Sequence, residues 1–146
     1  GQVGDITEIN PEFIKGLLQA NLTPVVAPLA ITKEGNVLNV NADTVAAKLA
    51  EALQALKLMF VVNVPGLCRD ITKPETLVPY ASWDQIEAFI QDGTISGGML
   101  PKMDAAKVAL DAGVSAVHIV DGRLSDGLLT ELFTNEGSGT MIDKTS

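Results

Sequence analysis

The sequence predicts an α/β layered domain, because short apolar runs of strand length alternate with stretches of helical periodicity that carry their own start and stop signals. Asn10-Pro11 reads as an N-cap followed by proline at the first helical position, opening a helix to about Ala20. Phe13, Ile14, Leu17 and Leu18 share one face of it. Pro24 to Ala30 is an apolar run of strand length, Lys33-Glu34-Gly35-Asn36 a turn, and Val37 to Val40 the strand leaving it. After Asp43 an Ala- and Leu-rich stretch places Val45, Leu49 and Leu53 in one row of an amphipathic helix. Leu58 to Val64 is a near-continuous apolar strand of the kind buried on both faces in a parallel sheet, and Pro65-Gly66 ends it. Ser82 and Gln85 have capping-box spacing and open a helix that closes at Gly93. Gly97-Gly98 breaks the chain, Pro101 suits a first helical position, and Gly113 is the residue expected just past that helix. Ala116 to Val120 is another strand. Ser125 is placed to cap a last helix, with Leu124 and Leu129 as its hydrophobic staple.

Composition narrows the function. Of 146 residues, 47% are apolar and 19% charged, a packed globular profile with material for a core. The net charge of −8 argues against a nucleic-acid partner, which would need clustered Lys and Arg. No apolar run has the length of a membrane span and no basic-then-apolar leader opens the chain, so a soluble, cytoplasmic protein is expected. Cys68 is the single cysteine and forms no intrachain disulfide. The chain opens on Gly1-Gln2-Val3-Gly4 without an initiator Met, as a piece of a longer protein would.

Three groups of residues could carry chemistry. Lys102 falls in the first turn of a helix, where a cation opposes the helix dipole. An anion such as phosphate would resolve that conflict, although a solvated lysine can simply tolerate the position. Asn39 and Asn41 point to one side if their segment is extended, and two carboxamides can orient a polar ligand. Asp43 at the following junction either caps the helix or holds a lysine or Mg²⁺ beside a phosphate. The turn Asn63-Val64-Pro65-Gly66-Leu67-Cys68 leaves the carboxyl end of a strand, where open α/β sheets bind ligands, and is otherwise an ordinary Pro-Gly turn. No Walker-type loop and no G-x-G-x-x-G occur. His118, the only histidine, sits within a strand and suits a structural role, and no spacing supports a metal cluster or a Cys-His nucleophile.

These pieces, in this order, resemble the acetylglutamate kinases of the amino acid kinase family. The residues that carry the resemblance are GQVGDI (1–6), NVNADTVA (39–46), VVNVPGL (61–67), ISGGMLPK (95–102), VHIVDGR (117–123) and NEGSGTMI (135–142). It implies the C-terminal, nucleotide-side portion of a carbamate kinase-like fold: a three-layer sandwich with a largely parallel central sheet and helices on both faces. The implied reaction is phosphorylation of the γ-carboxylate of N-acetyl-L-glutamate by ATP with Mg²⁺, in arginine biosynthesis. Lys102 then matches the lysine that stabilises the transferring phosphoryl group, and Asp43 the carboxylate that orients catalytic lysines. Asn39, with Asn41 beside it, matches the acetylglutamate contact. Asn63, Val64, Pro65, Gly66, Leu67 and Cys68, with Thr94, Ile95, Ser96, Gly97 and Gly98, match the nucleotide segments. His118, Glu136, Gly137 and Gly139 resemble the C-terminal part of arginine-inhibited members. Asn63 stands where such kinases usually carry Asp, and the half that supplies the glycine-rich loop, a second lysine and most of the amino-acid pocket has no counterpart here. The resemblance therefore implies an isolated chain that binds nucleotide at best, and a homo-oligomer when complete. The alternatives are another amino acid kinase, of the glutamate 5-kinase or aspartokinase type, and a non-catalytic nucleotide-binding module.

Overall fold

In a computed structural model, residues 5–144 are described. Gly1–Gly4 of the first matched stretch lie outside them. Helix α1 (Pro11–Gln19) is capped by Asn10, whose side chain accepts the Glu12 amide. It packs against the second helix and buries no residue fully; Phe13 is 69% exposed. The first strand is shorter than the apolar run that predicts it. β1 (Leu29–Ile31) starts just after Pro28, and residues 24–28 form no ladder. Pro24 and Pro28 lack the N–H that a paired strand donates. A turn with Gly35 at φ +89° returns the chain as β2 (Val37–Asn39), antiparallel to β1.

Helix α2 (Ala42–Leu53) is capped by Asn41, whose Oδ1 accepts the amides of Asp43 and Thr44 at 2.9 and 3.1 Å. Its deepest contacts are Ala47 and Ala50 rather than the predicted Val45–Leu49–Leu53 row. Small side chains let α2 approach α4 (Leu100–Asp111), which answers with Ala105, Ala106 and Ala109. Val45 and Leu49 line a cavity of about 500 Å³ beneath the β1–β2 hairpin.

The main sheet runs β3 (Lys57–Val62), β5 (Ala116–Asp121), β6 (Thr140–Asp143), β4 (Tyr80–Ser82). The β3–β5 and β4–β6 pairs are parallel and β5–β6 is antiparallel, so the sheet is mixed but largely parallel. The both-face burial expected of 58–64 belongs instead to β5, every residue of which is buried. β3 is the sheet's edge and alternates, with Leu58 and Phe60 inside and Val61 61% exposed. Helix α3 (Trp83–Gln91) starts at β4 with the predicted capping box, Ser82 and Gln85 satisfying each other's amides, and Gly93 follows its end at φ +82°. α4 ends as expected before Gly113, at φ +99°.

Val117 and Ile119 of β5 join Leu58, Phe60, Ile86, Met103, Ala106 and Leu110 in the core beneath α2 and α4. By alternation His118 and Val120 face the other way. There His118 meets Glu131 of α5 (Gly127–Phe133), so helices cover both sheet faces. Asp126, not Ser125, occupies the cap position of α5 and makes no side-chain bond. The expected staple is absent too, since Leu124 and Leu129 are 52% and 58% exposed. Gly127 fixes the entry instead: a Cβ there would lie 3.0 Å from the Asp121 carbonyl oxygen, so the helix begins pressed against the end of β5. Among the described residues no helix is long and apolar enough to cross a membrane.

Candidate functional site

α2 leads into β3 and α4 leads into β5, its parallel neighbour, so both helices begin at the carboxyl end of that strand pair. One ion pair joins their first turns. Lys102 Nζ lies 3.0 and 2.9 Å from the two carboxylate oxygens of Asp43, with the side chains 25% and 19% exposed. The same ammonium sits 5.8 Å from the centroid of the Phe60 ring, which walls it from below. Asp43 is therefore the partner of a lysine, and the capping alternative falls to Asn41. With its Oδ1 committed to two amides, Asn41 is a poor second ligand beside Asn39. Asn39 pairs with Leu29 at the hairpin's end, on the hairpin face that also carries the exposed Ile31 and Val37.

The chain enters α4 through a single 3₁₀ turn, Gly97–Met99, with Gly97 at φ +56°. No side chain caps either this turn or α4, and Ser96, Gly97 and Gly98 are all exposed. An uncapped helix start beside a held lysine can bind an anion. Thr94 and Ile95 are fastened to α3: the Thr94 amide donates to Asp92 Oδ1 at 2.9 Å, and the Ile95 amide to the Phe89 carbonyl at 2.8 Å. The Thr94 hydrogen bonds hold the Asp92 carboxyl below its ordinary range.

The 63–68 turn departs from β3 with Asn63 exposed and Gly66 and Leu67 buried. Gly66, at φ +146°, passes so close to Leu77 and Thr140 that a Cβ would lie 2.8 Å from each. Thr140 anchors the turn. Its hydroxyl accepts the Leu67 amide at 2.9 Å and donates to the Val78 carbonyl at 2.7 Å, with the residue fully buried. Thr140→Val is expected to cost about 2 kcal/mol, because it leaves a buried amide and carbonyl unpaired in a side chain of the same shape; the urea midpoint measures it. An unchanged midpoint would mean that the turn is held elsewhere. Burial pushes the Cys68 thiol pKa up, helped by the charges of Asp70 and Glu75, so it is no ready nucleophile.

His118 does not meet Glu136, which is exposed. It meets Glu131, a residue the sequence reading passed over: His118 Nδ1 lies 2.6 Å from Glu131 Oε1, and Glu131 Oε2 accepts the amides of Ser138 and Gly139 at 2.7 and 2.9 Å. Burial alone would raise the Glu131 carboxyl pKa; the hydrogen bonds from His118, Ser138 and Gly139 outweigh it and hold the value below the ordinary one. An ionised carboxylate only accepts, so the proton sits on Nδ1. Nε2 is buried without a hydrogen-bond partner among the described residues. Gly137 and Gly139 do belong to this cluster. A Cβ on Gly137 would lie 2.7 Å from Glu131 Oε2, and one on Gly139 would collide with the Ile119 carbonyl oxygen. Among the described residues no three His, Cys, Asp or Glu side chains gather as a metal cage.

The uncapped, lysine-bearing start of α4 and the Asn41-capped start of α2, joined by one ion pair at the carboxyl edge of a parallel strand pair, define an α/β protein. The chain belongs to the amino acid kinase family, whose profile matches residues 1–121. An acetylglutamate kinase of Methanococcoides burtonii is 48% identical over 144 residues, which are 99% of this chain and 47% of that protein. An acetylglutamate kinase of Methanocaldococcus jannaschii is 43% identical over 144 residues, 48% of its length. The chain thus spans about half the length of the curated relatives it matches. Among solved structures, N-acetylglutamate synthase from Neisseria gonorrhoeae, complexed with coenzyme A and L-arginine, superposes with a TM-score of 0.90 at 27% identity. That likeness covers all of this chain and 33% of the synthase. Carbamate kinase from Giardia lamblia bound to AMP-PNP shares the fold, with a TM-score of 0.68 at 24% identity over 92% of this chain and 44% of that one.

Proposed function

We propose that this chain forms the nucleotide side of an acetylglutamate kinase. The observation that carries the reading is the Lys102–Asp43 pair, which joins the first turns of two helices at the carboxyl edge of β3. In the reaction, a γ-carboxylate oxygen of N-acetyl-L-glutamate forms a bond to the γ-phosphorus of ATP. The bond from that phosphorus to the β–γ bridging oxygen breaks, and ADP leaves. The acceptor is already an anion, so no general base is required. What the protein must do is align two anions and neutralise charge spreading over the phosphoryl oxygens. Lys102 supplies the charge on the nucleotide side and Asp43 sets its direction. The uncapped start of α4 and the segments 63–68 and 94–98 hold the nucleotide, and Asn39 reaches the acetylglutamate. Mg²⁺ enters on the nucleotide's phosphates. The glycine-rich loop, a second lysine and most of the acceptor pocket would come from the half of such kinases that this chain does not span.

Calorimetric titration of MgADP into the folded chain, beside Lys102→Ala, tests the reading. Binding that depends on Lys102 supports it, and a folded chain that ignores MgADP would refute it.

A second reading concerns regulation, and the observation favouring it is the buried His118–Glu131 pair closed by Gly137 and Gly139. Arginine as a feedback effector would act on this cluster in the complete enzyme, and an enzyme indifferent to arginine would remove the idea. The bare edge of β3 and the exposed Val61 support self-association of the chain; a clean monomer in light scattering would contradict that.

A further inference from the structure

The carboxyl edge of the β3–β5 pair holds a second fixed cation. β5 ends on Asp121, in register with Val62 and only 4% exposed. The next residue is pressed onto β3: the Gly122 amide donates to the Val62 carbonyl at 2.7 Å, and a Cβ on Gly122 would lie 2.6 Å from Val61 Cγ1. The 63–68 turn leaves β3 at this same point. Asp121 spends its carboxylate on one neighbour. Oδ1 accepts the Arg123 amide and Nε, each at 2.9 Å, and Oδ2 accepts Arg123 Nη2 at 2.7 Å.

A buried carboxylate is costly unless fully bonded, and here every side-chain partner of Asp121 belongs to one guanidinium. The hydrogen bonds from Arg123 hold the Asp121 carboxyl below its ordinary range, and Asp121 raises the arginine in turn. The fork consumes Nε–H and one hydrogen of Nη2. Both hydrogens of Nη1 and one of Nη2 remain to donate from a side chain that is 61% exposed. A planar edge of donors held in one orientation matches phosphoryl oxygens and is already ordered before the ligand arrives.

We propose that Arg123, aimed by Asp121, contacts the phosphates of the nucleotide from the β5 side of the 63–68 turn. The inference rests on the nucleotide reading above and adds a residue to it. Arg123 lies 21 positions beyond Lys102, two residues past the end of β5, and Asn63 follows directly on β3, the strand paired with it. The nucleotide would then be gripped from both sides of the turn, by a lysine at α4 and an arginine after β5.

The test is titration of MgADP and of adenosine into wild type, Arg123→Ala, Arg123→Lys and Lys102→Ala, followed by NMR so that weak binding is still read. Arg123→Ala should weaken MgADP about tenfold, the loss of one hydrogen bond to a charged group. Adenosine binding should not change, and Arg123→Lys should fall between, since an ammonium cannot reproduce the fork. Arg123→Ala leaves the buried Asp121 without its cation, so the NMR spectrum of each variant first verifies the fold, and Arg123→Lys keeps a positive charge beside that carboxylate. If Arg123→Ala binds MgADP like wild type while Lys102→Ala does not, the inference fails and the nucleotide reading survives. Equal losses for MgADP and adenosine would make Arg123 a support for the turn and overturn the phosphate contact. No MgADP binding to folded wild type would overturn both.

Discussion

Lys102→Ala should weaken MgADP binding about thirtyfold, roughly the loss of a charge-assisted hydrogen bond worth ~2 kcal/mol. Its melting temperature should stay within a few degrees of wild type. The two halves of this expectation come from different parts of the structure. Lys102 stands in the first turn of α4, where a cation opposes the helix dipole, so its removal relieves a small penalty in the helix. The same removal leaves Asp43 without its partner. That carboxylate is partly exposed and lies in the first turn of α2, where negative charge is favoured, so its loss is modest as well. The two effects offset, and what remains is the ligand. Calorimetry together with thermal unfolding reads both quantities on one sample. Unaltered affinity in a variant that melts normally would mean that no phosphate sits at the start of α4.

Glu131→Gln should be the most destabilising single change among the ionisable residues, at about 3 kcal/mol, or some 10 °C in melting temperature. Glu131 is 8% exposed, and its carboxylate receives His118 Nδ1 and the amides of Ser138 and Gly139. An amide in its place either turns its NH₂ toward the Ser138 and Gly139 amides or makes His118 accept at Nδ1 and move its proton to the buried, partnerless Nε2; either way a buried donor is left unpaired. The pH dependence has a definite sign. The folded-state carboxyl titrates below its ordinary value of 4.5, so its contribution is complete above that pH and is lost as the pH falls through the lower, folded value. Wild type should therefore lose stability more steeply than Glu131→Gln on acidification below about pH 5. Parallel acid-unfolding curves for the two proteins would show that the carboxylate is not the group being stabilised.

Most helices could be read from the sequence because their boundary signals are local. Asn10-Pro11, the Ser82–Gln85 box, Pro101 and Gly113 each act within one turn of the backbone they terminate, and each is found in that role. The last helix defeats such a reading for the same reason in reverse. Ser125 and Leu129 carry the right pattern, but the entry to α5 is decided by the pressure of Gly127 on β5, a contact that no local window contains. Strands depend on neighbours, and here the reading was less complete. The run 58–64 and the run 116–120 look alike, yet one is an edge and the other lies within the sheet, because of the two β5 alone has a strand on each side. β4 and β6 leave no such signal: three and four residues are too few for a period to register.

At the site, Asp43 and Lys102 lie 59 positions apart, and nothing in their spacing brings them together. Their partnership was legible only through the family resemblance. Thr140 and Glu131 had weaker signals, but signals nonetheless. A hydroxyl heading the alternating Thr140–Asp143 run, and a glutamate four residues after Gly127 on a face that the helix buries, are polar groups in places that demand partners.

The position of β6 has a consequence for how the protein is made. Among the described residues β4 has only β6 as a sheet partner, and β6 also supplies the second edge of β5. On a ribosome, β4 emerges roughly sixty residues before that partner. Until Thr140–Asp143 leave the exit tunnel, β3, β5, α2 and α4 can assemble, while β4 and α3 remain tethered to an unfinished sheet. The turn that Thr140 fastens stays loose for the same interval. Nascent chains stalled just short of Thr140 should thus be open to protease between β3 and α3. Release of a few more residues would close that window in one step.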